Sequence, residues 1–207
     1  MLNNVVTKEI QSSLELEKYL KVKKIIKEEN STSILASLND NLIKKYIEIS
    51  INSKNIFFYI CEYKSEIVGY ALLAKKPSFL ISEYKELKYS ILISLLLRIN
   101  LKTILNIILS MHKIDLLFIS KINKNLINNN LNLNLLAINK NFQSKGIGKI
   151  FILNILEDIK KKHSSDVVTV ETSGKRAISF YKDKLEFKHI GKKLRFFKNM
   201  SIFKKNY

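Results

Sequence analysis

The sequence predicts an α/β fold, in which helices pack on a central sheet. Residues 131–185 follow the order strand, glycine turn, helix, strand and helix. Residues 56–73 predict a β-hairpin, because two strands rich in aromatic and β-branched residues flank a short polar run. Of the 207 residues, 46% are apolar, which suits a folded core, and the length favours a single domain over residues 1–207.

The N-terminal half is predicted to contain a strand and two helices before the hairpin. Residues 4–10 suit a short strand, and residues 14–29 place apolar side chains at helical spacing with charges between them. Asp40 is the expected N-cap of the second helix, because apolar residues recur at helical spacing after it. Gly69, inside the second strand of the hairpin, indicates a bulge or a close approach of another backbone.

Residues 82–111 form an unusually apolar segment after the hairpin. Two nine-residue stretches, 89–97 and 103–111, carry no charge. A membrane-spanning helix needs about 20 mostly apolar residues, so neither stretch is long enough. We therefore expect two helices, or one bent helix, packed on the domain and no transmembrane segment. Peripheral contact with a membrane surface and a role in forming a homodimer stay open for this segment.

The last third of the chain is the most regular part of the sequence. An Asn-rich stretch reads as a loop that leads into it. The expected elements that follow are strand 131–138, helix 146–162, strand 167–171, helix 176–185, and closing strands 187–194 and 196–203.

The net charge is +18, but the basic residues that produce it argue against a nucleic-acid partner. Of the 36 basic residues, 33 are Lys and only three are Arg, the residue preferred for bidentate recognition of phosphates and bases. The 21 Asn and many Ile that accompany them are typical of an AT-rich genome. The charge nevertheless favours an acidic or phosphorylated ligand.

The sequence predicts neither a disulfide nor a metal site. Cys61 is the single cysteine, and the three histidines lie far apart, without the spacing of metal ligands. The first residues lack the charged and apolar regions of a signal peptide, which favours a cytoplasmic location.

The most informative string, residues 137–149, joins a strand to a helix. Such a junction directs free backbone N–H groups and the positive end of a helix dipole towards one point, where an anion can bind. Glycines let the backbone approach the anion without a Cβ in the way. Gly148 shares a helical face with Ile152, so we also expect it to let the helix lie close to the sheet.

Two nucleotide-binding motifs are excluded for this string. A P-loop needs Gly where Gln143 stands, and Ser or Thr where Ile150 follows Lys149. A dinucleotide fingerprint needs three spaced glycines after the first strand of a βαβ unit, whereas only two are present here, late in the chain.

Three segments together resemble the GNAT superfamily of N-acetyltransferases. Gln143-x-x-Gly146-x-Gly148 after a strand is similar to the acyl-CoA loop of this family, whose usual form is Arg/Gln-x-x-Gly-x-Gly/Ala. Residues 176–187 resemble the family's A-I-x-F-Y-x-K-x-G-F segment, and residues 67–70 resemble its I-V-G-F hairpin. The three matches occur in the family's order and spacing.

This resemblance implies the GNAT fold: a mixed, mostly antiparallel central sheet flanked by helices, with an extra helical insertion at about 80–118 after the hairpin. The sequence departs from the family pattern at three places. The Asn that often precedes the last helix is missing, and residues 173–175 (Ser, Gly, Lys) occupy that region. Glu186 stands where the family usually has Gly, and Lys140 stands where Pro is common. These departures bear on the subfamily more than on the fold.

The resemblance also implies acetyl-CoA as co-substrate and no metal. Backbone N–H groups of the glycine-containing loop would hold its diphosphate, the edge of the preceding strand would pair with its pantetheine amides, and the Ile138 N–H is a candidate donor to the thioester oxygen. The residues implied in cofactor binding are Leu136, Ala137, Ile138, Gln143, Ser144, Lys145, Gly146, Ile147, Gly148 and Lys149.

Two residues match positions that act in catalysis in the family. Tyr181 matches the general acid that protonates the leaving thiolate, and its alternative role is that of a core tyrosine with a bonded hydroxyl. Glu171 matches the base of the ribosomal-protein N-terminal acetyltransferases, with an N-cap or a solvated carboxylate as its alternative. Water is a further candidate for the base. Lys175 and Arg176 either reach a CoA phosphate or form an ordinary solvated pair.

The implied reaction is direct attack by a primary amine in a ternary complex. We expect an acceptor that is a small molecule, such as an amino sugar, because the extra helices would crowd the extended cleft that a peptide needs. A protein N-terminus or a lysine is the alternative acceptor. A basic module that binds nucleic acid or a membrane surface, and a GNAT fold that binds CoA without turnover, are the other hypotheses.

Overall fold

The computed structural model describes residues 4–29, 34–87, 89–90, 128–162, 166–195 and 198–207. These residues contain a seven-stranded sheet, open at both edges. The strands are β1 (Val5–Glu9), β2 (Ile56–Tyr63), β3 (Glu66–Ala74), β4 (Leu131–Ile138), β5 (Val167–Thr172), β6 (Lys188–Arg195) and β7 (Lys198–Asn206).

The helices lie on both faces of this sheet. They are α1 (Leu16–Glu29), α2 (Ile34–Ser37), α3 (Asp40–Asn52), α4 (Pro77–Glu83), α5 (Ile147–Lys162) and α6 (Lys175–Ser179). A short 3-10 helix, Lys140–Phe142, follows β4, and a π-helical turn, Phe180–Lys184, follows α6. The predicted helix 176–185 is therefore two short pieces.

The strand order is β1-β2-β3-β4-β5-β7-β6. Only β4 and β5 run parallel, and every other neighbouring pair is antiparallel. This arrangement confirms the mixed, mostly antiparallel sheet that the resemblance implied.

Two apolar clusters hold the helices against the sheet. On one face, Phe151, Ile155 and Ile159 of α5 are fully buried against side chains such as Val170. On the other face, α1 and α3 bury an equivalent stripe against alternate residues of β2 and β3. The alternation of side chains along each strand is what lets one sheet serve both layers.

The cap of α3 differs from the prediction. Asn39, not Asp40, is the N-cap: its side-chain oxygen accepts the Leu42 N–H at 2.9 Å. Asp40 is the first helical residue, and its carboxylate accepts a hydrogen bond from Lys23 of α1 at 2.8 Å. Adjacent Asn and Asp are both good caps, so the spacing alone could not separate them.

The hairpin of β2 and β3 is confirmed, as is the special role of Gly69. The register shifts next to the pair Cys61 and Gly69. A Cβ on Gly69 would lie 2.4 Å from Ile138 Cδ1 and 2.7 Å from the Ala137 carbonyl oxygen. Both the predicted bulge and the close approach of β4 are therefore present.

The predicted insertion is described only in part. The helix α4 follows the hairpin, but residues 91–127 lie outside the described part of the chain, as do the predictions of membrane contact and dimer formation that rest on them. Within the described ranges, no helix combines the length and the hydropathy needed to cross a membrane.

Candidate functional site

A gap opens between the two parallel strands. Pairing of β4 with β5 ends at Leu133 and Val170. On the other side of β4, Leu73 pairs with Leu133 and Leu72 with Leu135, so Asn134 is the extra residue of a bulge. Beyond the bulge, no described strand pairs with the β5-facing edge of β4. We call this opening, between 134–138 and 171–172, the β4–β5 gap.

Backbone groups of β4 point into the gap at alternate residues. The Asn139 N–H donates to the Val68 carbonyl at 2.8 Å, so Asn139 directs its amide towards β3. Because amides alternate along a strand, the N–H groups of Ile138 and Leu136 point to the opposite edge, into the gap. Ala137, which pairs with Tyr70, directs its own amide towards β3.

The glycine turn, Gln143–Gly148, continues from this open edge. Ser144 and Gly146 adopt left-handed backbone angles, with φ of 62° and 82°. Such a conformation aims successive N–H groups into one concavity. The N–H groups of residues 144–148 have no bonded partner among the described residues, so five consecutive donors stand free at the start of α5.

The two ends of the predicted binding loop are already engaged. The Gln143 N–H donates to the Lys140 carbonyl at 3.3 Å, and the Lys149 N–H donates to the Gly146 carbonyl at 3.1 Å. The N–H groups of Gln143 and Lys149, which the sequence analysis included in the cofactor-binding loop, are therefore not available to an anion.

The structure leaves more space for a side chain at Gly148 than the sequence predicted. A Cβ there would meet Ile138 at 3.5 Å and Phe180 at 3.6 Å, which are ordinary van der Waals contacts. Gly148 thus faces the sheet as expected, but a single methyl group would fit there without moving the helix. The same distances show that Ile138, Gly148 and Phe180 meet at the end of the gap.

Positive charge surrounds the glycine turn. Arg176 reaches it from α6 and donates a hydrogen bond to the Ser144 hydroxyl at 3.1 Å. Lys145 and Lys149 are exposed on the first residues of α5 and before it. Lys145 folds back, with its ammonium 2.8 Å from the Asn141 carbonyl and 5.5 Å from the ring centre of Phe142. Lys175 is exposed.

Tyr181 lies in the apolar layer on the α5 side of the sheet. Its ring makes edge contacts with Phe180 and Phe187, at centroid distances of 5.3 and 5.5 Å. The residue is 5% exposed, and its hydroxyl has no hydrogen-bond partner among the described residues. Burial raises the pKa of Tyr181, so the phenol keeps its proton at neutral pH. Its packing is that of a core tyrosine, although the part of the chain that the structure describes offers its hydroxyl no bonded partner.

Glu171 lies on the opposite face of the sheet. It follows Val170, which packs with Tyr181 in the α5-side cluster, so alternation along β5 turns the Glu171 side chain the other way. Its carboxylate forms an ion pair with Lys193 of β6 at 2.6 Å, and the two side chains are only 10% and 6% exposed. Glu171 is therefore neither an N-cap nor a solvated carboxylate.

Sequence reasoning missed a second polar group on this face. Tyr46 of α3 stacks on Tyr84, with ring centres 4.3 Å apart and planes 11° apart. Tyr46 also bonds Asn134, and the hydroxyls of Tyr84 and Ser50 lie 2.6 Å apart. Burial raises the pKa of Tyr46 to about 12.

The register places this group at the gap. Leu133 pairs with Val170, so Asn134 and Glu171 come next on the two strands and flank the mouth of the gap on one face. The sequence signal was weak, because Tyr46 had the spacing of an ordinary core residue of α3. A bulge in β4 cannot be located from a single sequence.

In the part of the chain that the structure describes, no group of His, Cys, Asp and Glu side chains could hold a metal ion. The polar groups available are backbone amides, hydroxyls, one buried ion pair and exposed basic side chains. This set suits a ligand with a diphosphate and an extended chain of amides.

The fold is that of the GNAT acetyltransferases. Over 98% of both chains, the structure matches a protein from Desulfovibrio desulfuricans assigned to the GNAT family, with a TM-score of 0.57 and 13% identity. It matches the Drosophila melanogaster polyamine N-acetyltransferase over 98% of this chain and 100% of that one, with a TM-score of 0.61 and 8% identity.

A GNAT family acetyltransferase from Elizabethkingia anophelis with acetyl-CoA bound matches over 99% of both chains, with a TM-score of 0.53 and 11% identity. No family model and no curated protein sequence matches the chain. The likeness is therefore one of structure, and it establishes the fold.

Proposed function

We propose that this chain, which has the fold of the GNAT acetyltransferases, is an N-acetyltransferase that moves an acetyl group from acetyl-CoA to a primary amine of a small molecule. The observation that carries the proposal is the open edge of β4, which is followed, after the short 3-10 helix, by five amides at the start of α5 that have no bonded partner among the described residues. An extended amide chain that ends in a diphosphate is complementary to both parts.

The diphosphate would lie in the concavity of the glycine turn. The N–H groups of residues 144–148 are its donors, and Arg176, already bonded to Ser144, lies beside it. Lys145 and Lys149 add positive charge nearby, while the side chain of Gln143 is bonded elsewhere and contributes to the shape of the loop. Helix dipole and charge both favour an anion here.

The pantetheine amides would pair with the open edge of β4. Leu136 and Ile138 present N–H groups to the gap, whereas Ala137 contributes only by lining it. Acetyl-CoA supplies an activated acyl group when bound. The Ile138 N–H would then be the donor that stabilises negative charge developing on the thioester oxygen.

The proposal gives Tyr181 a role at the leaving sulfur. Its hydroxyl has no other partner among the described residues, and Tyr181 adjoins Phe180, which marks the end of the gap. A phenol whose pKa is raised above about 10 is a weaker acid than a thiol of pKa about 8.5. We therefore expect Tyr181 to stabilise the thiolate as a hydrogen-bond donor more than to transfer its proton completely.

The amine would enter from the face that α1 and α3 cover. There Asn134, Tyr46 and Tyr84 offer an amide, hydroxyls and an aromatic surface, which suit a small polar acceptor such as an amino sugar. One carboxylate oxygen of Glu171 is bonded to Lys193, so the base is either Glu171 through its other oxygen or a water molecule.

Two measurements test the proposal. Thermal unfolding with acetyl-CoA should show a rise in Tm that saturates with ligand concentration. Release of CoA thiol should then be followed with amino sugars, polyamines, amino acids and peptides with a free N-terminus as acceptors. We expect turnover with a small amine. Absence of acetyl-CoA binding, together with salt-sensitive binding to nucleic acid or anionic vesicles, would favour a basic binding module instead.

A further inference from the structure

Glu29, the last residue of α1, bonds the loop that leads to the glycine turn. One carboxylate oxygen accepts the Lys140 backbone N–H at 2.7 Å, and the other accepts the Gln143 side-chain amide at 2.9 Å. These partners lie 111 and 114 residues further along the chain. A single side chain thus joins the α1 layer to the loop at the end of β4.

The position of Glu29 does not suit the helix that carries it. The C-terminal end of a helix has partial negative charge, so a carboxylate there is unfavourable unless it finds donors elsewhere. Glu29 finds two such donors on the loop, and hydrogen bonds to a charged group are among the stronger ones.

The bond to Gln143 fixes the side chain of that residue. Its amide nitrogen has two hydrogens, and it also donates to the Ile138 carbonyl at 2.5 Å. Both hydrogens are therefore used, one towards α1 and one towards the end of β4. These two bonds hold the Gln143 side chain against the end of β4 and keep it out of the concavity where an anion would lie.

Ile138 and Gln143 are the two ends of the loop segment that leads from β4 into the anion concavity. Between them, Asn139 bonds β3 through its N–H, and the Lys140 N–H is bonded to Glu29. The free amides begin at Ser144, directly after Gln143. Glu29 thus bonds the loop at Lys140 and at Gln143, directly before these amides.

We propose that Glu29 is a positioning residue for cofactor binding, acting through Gln143 and the backbone of Lys140. This inference rests on the proposed function, because it assumes that CoA binds at the glycine turn. Loss of the Glu29 carboxylate releases Gln143 and loosens the loop, so binding must then order it again. The effect falls on the affinity for CoA and not on the chemical step.

The test is the dissociation constant for CoA, measured by calorimetry, together with kcat and the KM for acetyl-CoA where an acceptor is known. We expect Glu29→Ala to weaken CoA binding by about ten-fold, since hydrogen bonds to charged groups contribute at that level. Glu29→Gln should have a smaller effect, because its amide oxygen can still accept one bond. In both variants KM should rise while kcat changes little.

Glu28→Ala is the matched control. Glu28 lies on the same turn, 4.0 Å from Lys24 and away from the loop, so its loss should leave CoA binding unchanged. Gln143→Ala completes a double-mutant cycle with Glu29→Ala. If the two residues act together, the double variant should bind CoA more tightly than the sum of the two single effects predicts.

The outcomes separate this inference from the proposed function. Wild-type protein that does not bind CoA overturns both. Wild-type binding combined with unchanged affinity in Glu29→Ala and Glu29→Gln overturns the role of Glu29 alone. A lower Tm with unchanged CoA affinity would identify Glu29 as a purely structural anchor of α1, and would also overturn it. If Glu29→Ala does not fold, the Glu29→Gln affinity decides.

Discussion

The two edges of β4 differ along the same few residues. On the β3 side, residues 136–138 are fully paired, and the contact with Gly69 is so close that a Cβ would collide with Ile138. On the β5 side, pairing stops at Leu133, and the N–H groups of alternate residues point into the gap. The β3-facing edge of the strand holds it in the sheet, and the β5-facing edge is a surface that can bind an extended ligand.

The difference between the two edges begins at one residue of the strand. Pairing with β5 ends just before the bulge at Asn134, while pairing with β3 resumes after it and holds the strand in place. Substitutions on the closed edge should therefore cost stability, and substitutions at the open edge should cost binding or rate.

The largest expected effect is a loss of stability in a variant that breaks the ion pair between Glu171 and Lys193. Lys193→Met leaves the buried carboxylate of Glu171 without its 2.6 Å partner, and breaking a buried ion pair costs about 3–5 kcal/mol. Urea denaturation should show this loss. Lys161→Met, in the exposed pair with Glu157, is the control and should change stability by less than about 1 kcal/mol. Equal effects in the two variants would mean that the Glu171 pair is not buried in solution.

Substitutions at two glycines test the comparison of the two edges of β4 directly. Gly69→Ala should lower the free energy of unfolding by about 1–3 kcal/mol, because its methyl group meets the backbone of Ala137. Gly148→Ala should be neutral or slightly stabilising, since its methyl group makes only ordinary contacts and alanine favours the helix. Similar losses in both variants would contradict the distinction.

Tyr181→Phe removes the buried hydroxyl and keeps the ring packing. If that hydroxyl stabilises the leaving thiolate, kcat should fall by about ten- to hundred-fold, the range of a hydrogen bond to a charged group. Stability and CoA affinity should remain at the wild-type level. An unchanged kcat with a true acceptor would restrict Tyr181 to the core.

The smallest expected effect is on the pH dependence of activity. Burial raises the pKa of Tyr181 above its ordinary value of about 10, so the phenol is neutral at every lower pH in both folded and unfolded chains. Tyr181 should therefore produce no fall in kcat between pH 7 and about 10. Above that range the unfolded chain releases the proton first, and stability should decrease. A wild-type fall near pH 9 that disappears in Tyr181→Phe would contradict this.

The sequence predicted the helices and strands better than the pairing and register that relate the strands to one another. The hairpin, the apolar stripe of α5 and the strand 131–138 followed from periodicity and residue type, and all are present. The resemblance added the mixed, mostly antiparallel character of the sheet, which periodicity alone cannot supply. The end of β4–β5 pairing and the bulge at Asn134 depend on register, which one sequence does not determine.

The candidate site shows the same limit. The glycine turn was predictable because its residues are contiguous, but Glu29, Tyr46 and Lys193 reach the site from distant segments. Lys193 stood in the sequence as one of many basic residues, and its burial against Glu171 could not be inferred. The sequence does not separate Asp40 from Asn39 as the N-cap of α3, because both side chains have the same capping chemistry.

The most direct test of the account is calorimetric titration of acetyl-CoA into wild-type protein, Gly148→Ala and Gly148→Val. The γ-methyl groups of valine would extend from the Cβ into the space that Ile138 and Phe180 border at the end of the gap. We predict one site per chain in wild-type protein, retained binding in the alanine variant, and no binding in a folded valine variant. Wild-type protein without binding, or a folded valine variant with unchanged affinity, would contradict the claim that the open edge of β4 is the cofactor site.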